Sequence, residues 1–214
     1  MFKDNGNFLN LFYCATNKEQ LSISLFQLRN NRLNSKFVVD IIGDISTIEL
    51  FSDLFLQYGY EQYTELFRMS RIIAQVDEDR FSLVDYACVD DAHLIAELLN
   101  MYFDPLCEQL PLLEEVYTWI KQKHLLVTKD KNIITGFLIF DLIGKTSYLR
   151  YWFTHPEYRD KKIGSLLLRK FFVESRDCRR QLFWVLKNND NAIKRYEHYG
   201  FKAELIHDKV LISK

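Results

Sequence analysis

Near the start of the chain, apolar residues cluster in three short blocks, 8–13, 21–28 and 36–42. Each is rich in β-branched, aromatic or leucine residues and is set off by polar Asn, Lys and Glu, a pattern that predicts strands. The pattern changes at Ser46-Thr47-Ile48-Glu49, a Ser-x-x-Glu capping sequence ahead of Leu50, Phe51, Leu54 and Phe55. It predicts a helix closed by Gly59 in the left-handed conformation, with a strand over about 60–67 after it.

A second unit is expected from residue 81, dividing the chain into 1–80 and 81–214. It opens with a strand over 82–87. Asp90-Asp91 then starts a helix with Ala92, Ile95, Ala96 and Leu99 on one stripe. Pro105 and Pro111 break the chain before a helix over 112–123. Strands are predicted over 125–128, 133–141 and 147–154, then a helix over 163–174, a strand over 181–186, a helix over 190–199 and two short strands. This order, β-α-α-β-β-β-α-β-α-β-β, predicts an α/β fold. Residues 55–60 read Phe-Leu-Gln-Tyr-Gly-Tyr and 196–201 read Tyr-Glu-His-Tyr-Gly-Phe. The shared ending suggests that the first 80 residues are a partial copy of the C-terminal fold.

Composition narrows the classes. The 214 residues are 48% hydrophobic, inside the globular range of about 45–50%, and no apolar run approaches the ~18 residues of a spanning helix. The N-terminal Met-Phe-Lys-Asp-Asn-Gly-Asn does not resemble a signal peptide, so a cytoplasmic protein is expected, without membrane partners. With 28 basic and 29 acidic residues the net charge is −1, which disfavours general electrostatic binding to nucleic acid. Cys14, Cys88, Cys107 and Cys178 are widely spaced and form no C-x-x-C pair, so neither a disulfide framework nor a zinc site is expected. Glycine (7) and proline (3) are scarce, so each glycine is informative.

The stretch that carries chemistry is His155-Pro-Glu-Tyr-Arg-Asp-Lys-Lys-Ile-Gly-Ser-Leu-Leu-Leu168. It follows a strand and enters an apolar helix. Amides converge at a helix N-terminus, and the helix dipole favours an anion there. Gly164 allows close backbone approach, and Arg159, Lys161 and Lys162 add positive charge. The same residues also suit a solvated basic turn before an amphipathic helix.

This stretch resembles the acetyl-CoA-binding motif of the GCN5-related N-acetyltransferases (GNAT), Arg/Gln-x-x-Gly-x-Gly/Ala. Arg159 matches its first position and Gly164 its last, while Lys162 stands at its first glycine. Asn189-x-x-Ala192-Ile193-x-x-Tyr196-x-x-x-Gly200-Phe201 resembles the family's second common pattern. The resemblance covers about residues 81–214. It implies a mixed, mostly antiparallel central sheet with a splayed parallel strand pair and helices on both faces, preceded here by a smaller α+β N-terminal unit. The splay would lie between the strand ending at Thr154 and the strand over 181–186.

The resemblance further implies acetyl-CoA as cosubstrate, no metal, and transfer of acetyl to a primary amine of a small molecule or peptide by direct attack, in a monomer or homodimer. Main-chain groups of Phe153 and Thr154 would lie along the pantetheine. Arg159, Asp160, Lys161, Lys162, Ile163, Gly164 and Ser165 would cap the pyrophosphate, and Asn189 would hold the pantetheine side. Tyr196 would protonate the departing thiolate, for which a phenol of pKa near 10 is suited; taken without the motif, it is an aromatic packed on the sheet. The base stays open among Asp104, Glu108, His155 and a relayed water. Period-two alternation puts Tyr148, Arg150 and Trp152 on one face of their strand and Leu149, Tyr151 and Phe153 on the other. Arg150 is expected to pair with a carboxylate, with contact to an anionic acceptor as the alternative. Two other readings stand beside transfer of acetyl: a catalytically weak CoA-binding or protein-interaction module, and transfer of a longer acyl or aminoacyl group.

Overall fold

A computed structural model describes residues 1–4, 6–15, 17–30, 35–72 and 83–213. The chain divides into two compact units, Met1–Met69 with Trp184–Lys214, and Ser70–Phe183. The boundary expected at residue 80 and the first residue of the strand expected over 82–87 lie outside the described residues.

The first unit holds strands β1 (Phe2–Asp4), β2 (Leu9–Leu11), β3 (Phe37–Gly43) and β4 (Tyr60–Ile72, to Met69), with helices α1 (Lys18–Asn30) and α2 (Ile45–Gln57). Its strand order is β1-β2-β3-β10-β4, where β10 spans Lys202–Ser213. One face packs Leu21 and Leu25 of α1 and Ile48 and Phe55 of α2 against Phe37, Val39, Ile41 and Leu211.

Residues 21–28 are a helix, not the expected strand. Leu21 and Leu25 are buried, one helical turn apart, while Ile23 between them and Phe26 just after are exposed. The block's strand-like richness in apolar residues comes partly from side chains that the fold leaves outside. Asn17 Oδ1 accepts from Gln20 N at 2.9 Å, so Asn-x-x-Gln at 17–20 was the overlooked helix-start signal. The start of α2 also moves: its N-cap is Asp44, which accepts from Thr47 N at 2.9 Å and binds the Ser46 hydroxyl. Gly59 has the left-handed φ of 91° expected of it.

The C-terminus is one long strand, not two short ones. His207, Asp208 and Lys209 look like a turn, yet they pair in register with Gly43, Ile42 and Ile41. A partner inside the unit accommodates His207. Glu65 of β4 accepts from Lys187 Nζ at 2.9 Å and lies 3.1 Å from His207 Nδ1. Burial opposes the Glu65 carboxylate, but Lys187 and His207 outweigh it and hold its pKa below the ordinary value.

In the second unit the strand order is β9-β8-β7-β6-β5: β9 (Arg180–Leu186, to Phe183), β8 (Thr146–Thr154), β7 (Ile133–Ile143), β6 (Leu125–Asp130) and β5 (Asp85–Tyr86). Neighbours are antiparallel except β8 and β9, which are parallel. Helices α3 (Ala92–Tyr102) and α4 (Leu113–Gln122) cover one face, burying Ile95, Leu99, Val116 and Ile120 against Phe137, Ile139, Tyr151 and Phe153. Helix α5 (Ile163–Glu174) covers the other. A Cβ on Gly136 would stand 2.7 Å from Ile163 and 3.0 Å from Leu167 of that helix. Asp91 ties the start of α3 to β6 through Lys129, at 2.6 Å.

Asp208 makes the first unit pH-sensitive. It is 7% exposed, its Oδ1 has no hydrogen-bond partner, and burial with the nearby Asp40 charge pushes its pKa up to about 8. The native state therefore holds this proton where the unfolded chain has lost it, and stability falls as pH rises from near 3.8 to about 8. Asp208→Asn should flatten that decline and exceed the parent in stability above pH 8. Urea midpoints across pH would check this; superimposable curves for the two proteins would refute it.

Candidate functional site

The site is built on β8. Its parallel pairing with β9 runs Thr146↔Arg180, Ser147↔Gln181 and Tyr148↔Leu182. Beyond Tyr148, β8 stays on β7 as far as Thr154↔Gly136 but leaves β9. The splayed parallel pair is thus present.

Its local cause is a β-bulge. Ile139 faces Tyr151 and Phe140 faces Leu149, so Arg150 is an extra residue with no opposite number on β7. A bulge bends its strand and sharpens the twist, and this one falls two residues past the last β8–β9 pair. It also corrects the expected faces of the strand. Tyr151 and Phe153 pack with α3 and α4. Trp152 and Thr154 lie against Gly164 of α5, and Leu149 pairs with Phe140, whose ring meets Phe171 of α5 at 5.4 Å. Leu149 and Tyr151 therefore point to opposite layers. Arg150 pairs with Asp141 at 2.7 Å, as expected of a charge in an apolar strand.

After Thr154 the chain forms the turn. His155 N donates to Thr135 O at 2.9 Å. The His155 ring accepts from Glu157 N and lies against Tyr102, Phe153 and Tyr158, so it caps a short 3₁₀ turn over Pro156–Lys161. Tyr158 anchors that turn by donating to Asp130 at 3.1 Å, and Lys161 Nζ sits 4.2 Å from the centre of its ring. Arg159, Asp160, Lys161 and Lys162 are exposed.

Lys162 adopts φ 58° and ψ 16° and is the N-cap of α5. The position where the motif has its first glycine thus takes the left-handed conformation that favours glycine. The amide of Leu166 donates to Lys162 O at 3.1 Å, and the first turn of α5, Ile163 to Ser165, lies at the helix end where amides lack intrahelical acceptors. Gly164 has a second reason to be glycine: a Cβ there would stand 3.0 Å from Thr154 Oγ1 and 3.3 Å from the Trp152 ring. Close packing of α5 on β8 needs it, whatever approaches from outside.

The segment between α3 and α4 is tied to the same strand. Tyr151 donates its hydroxyl to Glu108 O at 3.0 Å and Gln109 O at 2.9 Å. Gln109 has φ 45°. The Glu108 carboxylate accepts from Asp104 N at 2.7 Å. Its pKa is raised, first by burial and then by the Asp104 charge, against the bond from Asp104 N. Sequence reasoning did not foresee this tether, since a Tyr hydroxyl meeting two carbonyls 40 residues away has no local signature.

The remaining candidates belong to the first unit. Asn189 is the N-cap of helix α6 (Asp190–His198), accepting from Ala192 N at 3.3 Å. Tyr196 lies half-buried on α6, one turn before Gly200 with φ 84°. Among the described residues no group of three or more His, Cys, Asp or Glu side chains could hold a metal ion, and no helix is long and apolar enough to cross a membrane.

A mixed sheet with a parallel strand pair and helices on both faces is the fold that the GNAT resemblance implies. The family model described as "Acetyltransferase (GNAT) family" matches residues 92–201, and the chain belongs to that family. A GCN5-related N-acetyltransferase from Sphaerobacter thermophilus is similar over 97% of this chain and 73% of that one, with a TM-score of 0.68 at 13% identity. A GNAT-family acetyltransferase from Colwellia psychrerythraea gives a TM-score of 0.60 at 14% identity, over 98% of this chain and 78% of that one. A GCN5-related N-acetyltransferase from Kribbella flavida gives 0.61 at 9% identity, over 92% and 76%. At such identities the likeness establishes the fold. No curated protein matches the chain significantly.

The backbone at the turn yields a prediction. Lys162→Gly removes left-handed strain of about 1–2 kcal/mol at an entropic loss of about 0.5–1 kcal/mol, so stability should hold or rise by about 1 kcal/mol. Gly164→Val should lose about 1–3 kcal/mol by overpacking against Trp152 and Thr154. Guanidinium unfolding of both variants is the check; a destabilised Lys162→Gly protein would contradict the strain argument.

Proposed function

We propose that this GNAT protein moves an acetyl group from acetyl-CoA to a primary amine of a small molecule or peptide by direct attack. The observation that carries the reading is the course of β8, whose last register pair with β9 is at Tyr148 and which runs on into the turn and the N-terminus of α5. A strand edge can accept an extended ligand through main-chain hydrogen bonds, and the two amides of pantetheine suit such an edge. In this reading the main chain of Phe153 and Thr154 binds the pantetheine. The turn from Arg159 to Ser165 takes the pyrophosphate through amides, with Arg159, Lys161 and Lys162 adding charge. Asn189 acts from the start of α6.

Tyr196 is assigned the acid role on the motif around it. Its phenol donates the proton that the thiolate of coenzyme A needs on leaving. Removal of the acceptor ammonium's proton falls to a carboxylate or a water held by one, with Asp104 and Glu108 the candidates. Burial makes Glu108 the more basic than an ordinary carboxylate, a property suited to a base near neutrality.

Two measurements test the reading. Acetyl-CoA at a hundredfold excess over its Kd should stabilise the protein by about 2.7 kcal/mol, or about 5–10 °C in Tm for a chain of this size. No thermal shift and no heat of binding would remove acetyl-CoA from the account. Tyr196→Phe keeps the ring, so fold and acetyl-CoA affinity should be nearly unchanged while kcat falls roughly 10²–10⁴-fold. Thiol release with a panel of amine acceptors reads this. A fully active Phe variant would end the acid role, and binding without turnover on any amine would favour a CoA-binding module.

A further inference from the structure

The α3/α4 face of β8 carries a set of polar contacts that the roles above leave unused. Arg150 Nε donates to Asp141 Oδ2 at 2.7 Å, and Trp119 Nε1 donates to Asp141 Oδ1 at 2.7 Å. Both oxygens of one carboxylate are therefore engaged, one by the bulge residue and one by α4. The Arg150 guanidinium also lies 4.3 Å from the centre of the Tyr148 ring. Asp141 faces Tyr148 across the β7–β8 ladder, and Tyr148 is the last β8 residue paired to β9. The Trp119 ring meets Tyr151, the next residue after the bulge, at 6.2 Å.

These contacts bracket the point where β8 turns away. Arg150 has no ladder partner on β7, so its main chain lacks the constraint its neighbours have. Its side chain supplies that constraint, tying the extra residue to β7 and, through Asp141, to α4. A partly exposed pair, 39% and 20% by side chain, adds little to stability; its effect is on geometry.

We propose that the Trp119–Asp141–Arg150 clamp is a positioning device for acetyl-CoA. It holds the bulge at Arg150 and thereby sets the direction in which β8, beyond Tyr148, offers its main-chain groups to the pantetheine arm. This rests on the acetyl-CoA reading above. The turn at Arg159 to Ser165 is anchored separately, by Tyr158 on Asp130, so phosphate binding there does not depend on the clamp.

The test separates the two halves of the ligand. Parent, Arg150→Met, Asp141→Asn and the double variant are titrated calorimetrically with coenzyme A and with adenosine 3′,5′-bisphosphate, which lacks pantetheine. Each single variant should lose about tenfold or more in affinity for coenzyme A and stay within about twofold for the bisphosphate, with the double variant no worse than the weaker single because both break one clamp. Arg150→Lys should recover part of the loss. Unchanged coenzyme A affinity in both single variants would overturn the proposal, as would parallel loss of both ligands, which would mark general damage. A parent protein that binds neither ligand would overturn the acetyl-CoA reading itself, and the clamp's role with it.

Discussion

Arg150 is one residue too many for the β7–β8 ladder, and the second unit is arranged around that excess. A strand paired on both sides would have no main-chain groups to offer. The bulge lets β8 keep its β7 partner while parting from β9 after Tyr148. It also turns the strand by one step, so that Tyr151 and Phe153 join the α3/α4 core while Trp152 and Thr154 receive α5. The Tyr151 hydroxyl can then hold the segment between α3 and α4 by two carbonyls. Remove the extra residue, and the same side chains would address the wrong layers.

The turn after β8 shows how a motif can depart from its usual residue and keep its shape. Lys162 accepts a left-handed backbone that glycine reaches without strain. The neighbours make up for it: Tyr158 pins the 3₁₀ turn to Asp130, His155 caps it, and Gly164 lets α5 press against Trp152. Strain of this size persists when the surroundings over-determine it. Charge and conformation thus separate at this position: the ammonium is new, while the backbone is what a glycine would have given.

Two segments of the chain are constructed alike. β3 and β9 are each seven residues long. Each leads into a helix whose Asx N-cap accepts from the third amide beyond it, Asp44 from Thr47 and Asn189 from Ala192. Each helix closes at a Tyr followed by a left-handed glycine, Gly59 at 91° and Gly200 at 84°, and each is followed by a long strand of 13 or 12 residues. The cap chemistry is the same in both, and the basic turn before a helix belongs to the second unit alone among the described residues.

Much of this was legible in the sequence, for local reasons. The boundaries of α4, α5 and β9 followed from periodicity and caps that act within a few residues, and the two GNAT-like motifs are contiguous strings in the sequence. Arg150 in an apolar strand announced a carboxylate partner, because a charge there needs one. What failed depended on partners distant in the chain. Residues 21–28 are as rich in apolar residues as a strand, but the sheet of the first unit accepts Leu21 and Leu25 and leaves Ile23 in water. The two short strands expected at the end of the chain are one, because His207-Asp208-Lys209 pairs with β3 and His207 meets Glu65. The bulge has no local signature, since any residue can be the extra one; its place is decided by which side chains of β8 fit between the helices on its two faces. Local hydrogen bonding and periodicity fixed the elements and the motifs, whereas register, facing and the parting of β8 from β9 were settled by packing between segments far apart in the chain.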